Sequence, residues 1–272
     1  MNIVFTGQRG NLGKEIIPLL EKDHTVHYSN IDYSNPDDVE SFFRNRNPDF
    51  IIHAAIRGGR RTRTDIPEDL HNNILMFENL AAQKIPMINI CSGAAYDREG
   101  DIFKVEEKCF GDRVPTDYYG LSKYMITHRC RQYNHVYNLR FFNMFGAHAP
   151  EDMFTTANIK NYIDNKQIVI FKDRFMDLFG ILDVYKVIDF YLKSGKDRLN
   201  LPKELNLVYE PTTSLLDVAI MINNLSDYKV PISILEKGYN TAYCASGAEL
   251  SKLNLKLDGL QKSLEYVYTN LR

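Results

Sequence analysis

Apolar positions along this chain change period repeatedly, and the changes mark out its elements. Asn2-Ile3-Val4-Phe5 is a short apolar run ending in Thr6-Gly7-Gln8-Arg9-Gly10-Asn11-Leu12-Gly13, after which Ile16, Ile17, Leu19 and Leu20 recur at helical spacing. A second strand is predicted over residues 24–28. A helix follows, with Asn35 as its N-cap, Pro36 at its first position, and Val39, Phe42 and Phe43 as its buried face. Residues 48–55 read as a fully apolar, buried parallel strand that ends in the small residues Ala54 and Ala55, as a strand beneath a cofactor would. The same patterning predicts a helix over 69–83, a strand over 87–92, a helix over 122–134 and a strand over 136–142. Periodicity weakens through 147–176. From 205 onward short strands and helices mix, up to a terminal amphipathic helix carrying Leu260, Leu264, Val267 and Leu271.

Strands alternating with helices predict an α/β fold with a Rossmann-like, doubly wound parallel sheet and a smaller C-terminal substrate lobe. Residues 1–146 and about 175–204 are assigned to the dinucleotide-binding domain, and 147–174 and 205–272 to the lobe over the sheet's carboxyl rim. A chain of 272 residues can bury such a core. Its 33 basic and 35 acidic residues nearly cancel, which argues against a nucleic-acid partner. The one basic cluster, Arg57-Gly58-Gly59-Arg60-Arg61-Thr62-Arg63, follows a strand end and is either a solvated loop or a diphosphate clamp. Four scattered cysteines without a C-x-x-C pair suggest reduced thiols in a cytoplasmic protein, with no metal site. A strand at the very start and no apolar run near 18 residues predict neither a signal peptide nor a membrane span.

Candidate chemistry lies in two places. Strand, glycine-spaced turn and helix in that order make Gly7, Gly10 and Gly13 a dinucleotide fingerprint: one glycine for the tight turn, one for approach to a pyrophosphate, one for helix-on-strand packing. Asn11 and Leu12 then open a helix whose N-terminus would meet that pyrophosphate. Tyr119-Gly120-Leu121-Ser122-Lys123 places a phenol and an amine on one helix face. A cation there is expected to pull the tyrosine down toward neutrality, so that it trades protons with a carbonyl or alcohol. Ser92, at a strand's carboxyl end, is expected on the same rim.

These pieces together resemble the extended short-chain dehydrogenase/reductases of the nucleotide-sugar type. The likeness rests on Thr6-Gly7-x-x-Gly10-x-x-Gly13, His53-Ala54-Ala55, Asn73-Ile74, Ser92 with Ala95-Tyr96 behind it, Tyr119-x-x-x-Lys123, Arg140-Phe141-Phe142-Asn143, Asp183-Val184 and Leu264-Glu265. Gly7-Gln8-Arg9-Gly10 looks most like GDP-fucose synthase, and Asp32-Tyr33-Ser34-Asn35-Pro36 like dTDP-4-dehydrorhamnose reductase. The resemblance implies that Tyr119 is the proton donor, that Lys123 lowers its pKa and holds the nicotinamide ribose, and that Ser92 bonds the reacting oxygen. It further implies sugar or diphosphate contacts at Asn143 and Asn158, a 2′-phosphate contact at Arg9, and an acid by the adenine at Asp32. The expected cofactor is NADP, with NAD possible, the substrate a nucleoside diphosphate sugar, and the assembly a homodimer. The activity so implied is reduction of a 4-keto deoxy sugar; a 4-epimerase and a non-catalytic dinucleotide-sensing regulator are the alternatives. Gly93 and Ala94 stand where the family's dehydratases carry an Asp-Glu pair, and Ala94 and Asn158 where GDP-fucose synthase carries the Cys and His of its 3,5-epimerisation, so neither dehydration nor 3,5-epimerisation is expected.

Overall fold

The computed structural model describes residues 1–59 and 63–272. Its first half runs β1 (Asn2–Thr6), α1 (Asn11–Leu20), β2 (Thr25–His27), α2 (Pro36–Phe43), β3 (Phe50–His53), α3 (Pro67–Ala81), β4 (Met87–Ser92), β5 (Ile102–Val105), α4 (Tyr118–Cys130) and β6 (Val136–Phe141). The second half continues with β7 (Met144–Phe145), α5 (Phe154–Ile163), β8 (Ile168–Asp173), β9 (Phe179–Gly180), α6 (Ile181–Lys193) and β10 (Glu204–Leu207). It closes with α7 (Leu215–Asn223), β11 (Ile232–Tyr239), β12 (Tyr243–Ala245), α8 (Ala248–Ser251) and α9 (Gly259–Leu271).

Six strands form one sheet in the order β10-β6-β4-β3-β1-β2, and each neighbouring pair in it is parallel. The period of two along each strand serves both faces. Ile3, Phe5, Phe50 and Ile52 point to α1 and α6, while Val4 and Ile51 point to α2, α3 and α4. After β1 the chain winds one way to β2 and returns across β1 to β3. The strand order therefore reverses between β1 and β3, where such sheets open a ligand crevice at their carboxyl ends. Local chemistry sets the helix starts as expected: Asn35 accepts from Asp37 N at 3.0 Å, with Pro36 at the first position of α2.

The lobe closes over that rim, with α5, α7 and α9 packed around Ile159, Tyr162, Val218 and Leu264. Two assignments change. Residues 205–207, expected in the lobe, belong to β10, the sheet's edge strand beside β6; Leu205 and Leu207 are fully buried there. Asn158, expected to meet substrate, is buried between α5 and β8. Its Oδ1 accepts from Val169 N at 2.8 Å, and its Nδ2 donates to Phe154 O at 3.0 Å and Val169 O at 3.1 Å. The amide does the work of a missing strand and satisfies both backbone groups of Val169.

Asn158→Ala strands those backbone groups and is expected to cost about 2–4 kcal/mol in a urea melt, with cofactor affinity unchanged. Unaltered stability with loss of substrate affinity would return Asn158 to the binding site.

Candidate active site

The crevice is built by close contact. Gly7 has φ +82°, and a Cβ there would lie 2.8 Å from the Ala54 carbonyl and the Ala55 nitrogen. At Gly13 a Cβ would lie 2.6 Å from Gln8 Cα, so α1 can sit this low on the turn only with glycine there. Thr6 Oγ1 accepts from Ala54 N at 3.2 Å and Ala55 N at 3.1 Å and meets His53 Nδ1 at 2.8 Å, which ties the ends of β1 and β3 together. Burial, with the nearby Lys123 charge, pulls His53 down to about 3 and keeps it a neutral tie.

A cleft of about 650 Å³ opens there, lined by Gly7 to Gly10, Ala54, Ala55 and the segment after β2. Arg9 Nε donates to Asn30 Oδ1 at 3.0 Å. Asp32 lies in the same wall and takes the Ser34 hydroxyl at 2.6 Å and Arg57 at 3.6 Å; the Ser34 bonds, then Arg57, hold its carboxyl below the usual range. Of the basic run, Arg57 and Arg63 line the cleft but each is ion-paired, Arg63 with Asp69 at 2.7 Å. Arg60, Arg61 and Thr62 lie outside the described residues.

Along the rim, Ser92 ends β4 and its Oγ accepts from Ala94 N at 3.2 Å, starting a 3-10 turn over Gly93–Tyr96. Asp117 caps α4 by accepting from Gly120 N at 2.8 Å, and Gly120 packs so tightly on this turn that a Cβ would lie 2.9 Å from Ala94 O. That contact brings Tyr119 to Ser92. Gly59, at φ +71°, lies across the phenol ring, where a Cβ would come within 2.5 Å of it.

The expected pull of Lys123 on Tyr119 is absent. Burial pushes the Tyr119 phenol above its ordinary value, against the hydrogen bonding of Ser92. Lys123 Nζ lies 6.0 Å from the ring centroid and donates to Ile90 O at 2.7 Å, and burial lowers its own pKa. Arg98, which the sequence did not single out, stands over the Tyr119 ring at 5.4 Å, anchored on Asp117 at 2.9 Å. Tyr243, another residue missed, brings a second phenol to Ser92 from β12 in the lobe; burial pushes it far above the tyrosine range. No local pattern linked residues 92 and 243.

A second cleft of about 570 Å³ lies between α1 and the lobe and is lined by Arg9, Gly59, Asn143 and Met176, among others. Arg9 lines both clefts, and Asn143 Nδ2 donates to Asp177 O at 3.1 Å. Asp177 turns its carboxylate to Ala245 N at 2.6 Å, and burial raises it to about 7. Cys91 faces away from Ser92, with Sγ 3.4 Å from Thr127 Oγ1, as strand alternation predicts. His148 is occupied at Glu15: its backbone N donates to Oε1 at 2.8 Å, and Nδ1 stands 3.4 Å from the same oxygen.

Residues 3–206 match the NAD dependent epimerase/dehydratase family. The chain belongs to this family. It is 26% identical over 203 residues to GDP-6-deoxy-D-talose 4-dehydrogenase of Aggregatibacter actinomycetemcomitans, a match spanning 67% of this chain and 64% of that one. In fold it resembles the UDP-glucuronic acid 4-epimerase of Bacillus cereus, with a TM-score of 0.78, 21% identity, and 100% and 99% of the two chains covered. It also resembles the GDP-mannoheptose C4 reductase of Campylobacter jejuni, with a TM-score of 0.81, 14% identity, and 99% and 98% covered. The likeness to extended short-chain dehydrogenase/reductases thus holds across the fold.

The family's nicotinamide dinucleotide fits this crevice. Gly7 and Gly13 leave no room for side chains, and the N-cap of α1 is Gly10, which offers no side-chain cap, so the first amides of the helix are open to a pyrophosphate. Among the described residues no group of three or more His, Cys, Asp or Glu side chains is placed to hold a metal ion, and no helix is long and apolar enough to cross a membrane.

Tyr119→Phe is expected to bind cofactor normally and lose at least about 10²-fold in turnover. A proton donor acts while protonated and its raised pKa extends that range upward. The wild-type reduction rate should therefore fall only above the ordinary tyrosine value of about 10. A variant retaining a tenth of the rate, or an alkaline limb near pH 8, would remove Tyr119 from the role.

Proposed function

We propose that the protein is an NADP(H)-dependent reductase of the 4-keto group of a nucleotide-activated deoxy sugar. The observation that carries this over an NAD-dependent 4-epimerase is the wall after β2. Ser29 and Asn30 offer no carboxylate to a free ribose diol, Asp32 is engaged by Ser34 and Arg57, and Arg9 is held at the same wall by Asn30. A guanidinium so placed suits a 2′-phosphate.

A bound reduced nicotinamide supplies hydride to the carbonyl carbon. Gly7, Gly10, Asn11, Leu12, Gly13, Ala54 and Ala55 would hold and orient the cofactor, and Lys123 would take its ribose. Ser92 bonds the carbonyl oxygen and aligns it with Tyr119, whose neutral phenol donates its proton to that oxygen as it gains charge. Gly59 lies against the phenol ring. Asn143, in the second cleft, is the remaining sugar contact.

NADPH is expected to bind at least about tenfold more tightly than NADH, with the difference lost in Arg9→Ala. Equal affinities, or NAD retained through purification, would favour the epimerase.

Dehydration and epimerisation at C3 or C5 both need a base beside the ketone. Gly93, Ala94 and Ala95 cannot titrate, Cys91 and Asp177 face the packing, and His148, its ring half exposed with Nδ1 3.4 Å from Glu15, is the candidate base that the next experiment tests. Turnover of a 4-keto-6-deoxy nucleotide sugar with NADPH in deuterated water should add no deuterium at C3 or C5 above background. Enzyme-dependent uptake that vanished in His148→Ala would overturn this.

A further inference from the structure

Two phenols converge on one hydroxyl. Tyr119 reaches Ser92 from the start of α4, and Tyr243 reaches it from β12. Ladder bonds hold the Tyr243 backbone: its N donates to Phe175 O at 2.9 Å, its O accepts from Asp177 N at 3.1 Å, and Tyr243 pairs with Ile102 where β12 meets β5. Its ring packs on Phe142 with the centroids 5.0 Å apart, and Phe142 lies so close on Gly93 that a Cβ there would come within 2.6 Å of it. Gly93 directly follows Ser92, so these contacts fix the second phenol at the end of β4.

The bonding capacity of Ser92 decides what that arrangement does. A serine hydroxyl donates one hydrogen and accepts two. Ala94 N already fills one acceptor position, at 3.2 Å. One acceptor position and one hydrogen remain, and both phenols are donors, since burial raises each above its ordinary value. With Tyr119 in that position, its proton would point at Ser92 and away from the substrate. With Tyr243 there, the Tyr119 proton and the Ser92 hydrogen are both left for the oxygen being reduced. Tyr243 has the stronger claim: a buried phenol without a bond is a cost to the fold, and the substrate oxygen that would satisfy Tyr119 is not needed to satisfy Tyr243.

We propose that Tyr243 is a positioning residue acting through Ser92: by donating to Ser92 Oγ it turns the serine hydrogen, together with the Tyr119 proton, toward the carbonyl oxygen of the substrate. This rests on the reductase function proposed above. Tyr119 remains the proton donor, and no bond to Tyr243 forms or breaks. The role makes the chemistry on the sheet's rim depend on the lobe, because β12 enters from it and no residue of the sheet itself supplies the second phenol.

A double-mutant cycle separates this role from a substrate contact and from a structural one. Wild type is expected to oxidise NADPH with at least one of the GDP-, UDP- and dTDP-linked 4-keto-6-deoxyhexoses. On that substrate Tyr243→Phe, which keeps the ring on Phe142, should lower kcat about tenfold with KM and NADPH affinity within about twofold of wild type. In Ser92→Ala the same substitution should change kcat by less than about twofold, and in Ser92→Thr, which keeps a hydroxyl, the loss of about tenfold should return. A loss of equal size with and without the Ser92 hydroxyl, a raised KM in place of a lowered kcat, or no loss in Tyr243→Phe would overturn the positioning role and leave the reductase standing. A wild type that reduced none of the three sugars would overturn both.

Discussion

The backbone contact between Gly7 and Ala54-Ala55 is the constraint on which the rest of this structure depends. Because Gly7 has no Cβ, the turn after β1 can press on the end of β3, and Thr6 bonds both amides at that end. The contact sets the height of α1, since Gly13 lies on Gln8 with no room for a side chain. It sets the position of the loop after β3, which carries Gly59 onto the Tyr119 ring. A methyl group at Gly7 would have to displace backbone rather than a flexible side chain, at a cost no rotamer change can relieve. Crevice and phenol cover thus follow from one close approach at the point where strand order reverses.

The other end of α1 answers to the lobe. Glu15 is buried, accepts from His148 N at 2.8 Å and from Tyr266 OH at 2.9 Å, and fills the space beside Gly146, where a Cβ would meet its Oε1 at 2.4 Å. One carboxylate therefore ties the cofactor helix to the segment leaving β7 and to α9. Buried hydrogen-bonded charge specifies geometry more than it stabilises, and here it fixes the cleft wall that carries Arg9 and Lys14 relative to the lobe.

Much of this was legible in the sequence where local rules act alone. Capping chemistry placed Asn35 and Pro36, and the glycine spacing placed the crevice. What local rules missed lies in long-range pairing. β10 is four residues long and falls mostly in the span assigned to the lobe, yet its Asn206 Oδ1 accepts from the fully buried Arg140 at 3.0 Å. Asn158, where the resemblance implied a substrate contact, is instead taken up by β8 lying against it. Tyr243 reaches Ser92 only because β12 pairs with β5, some 140 residues earlier in the chain. In each case a polar side chain meets a partner from a segment whose own periodicity is weak, and spacing along the chain holds no record of it.

Tyr119 shows how burial outweighs proximity. A full ammonium charge about 6 Å away, at an effective dielectric of about 20, would favour the phenolate by about 3 kcal/mol, or about two pKa units. The shift nevertheless runs upward, led by desolvation of the phenol, and burial also lowers Lys123, which donates to Ile90 O. Burial thus moves both groups in the direction of their neutral forms. A neutral phenol beside Ser92 donates a proton to an oxygen that is gaining charge more readily than it accepts one from an alcohol. Running the reaction in the oxidising direction would require the phenolate, and hence a cation brought close enough to overcome the desolvation of both side chains. The direction of the Tyr119 shift suits proton donation, the step that the reductase proposed above demands.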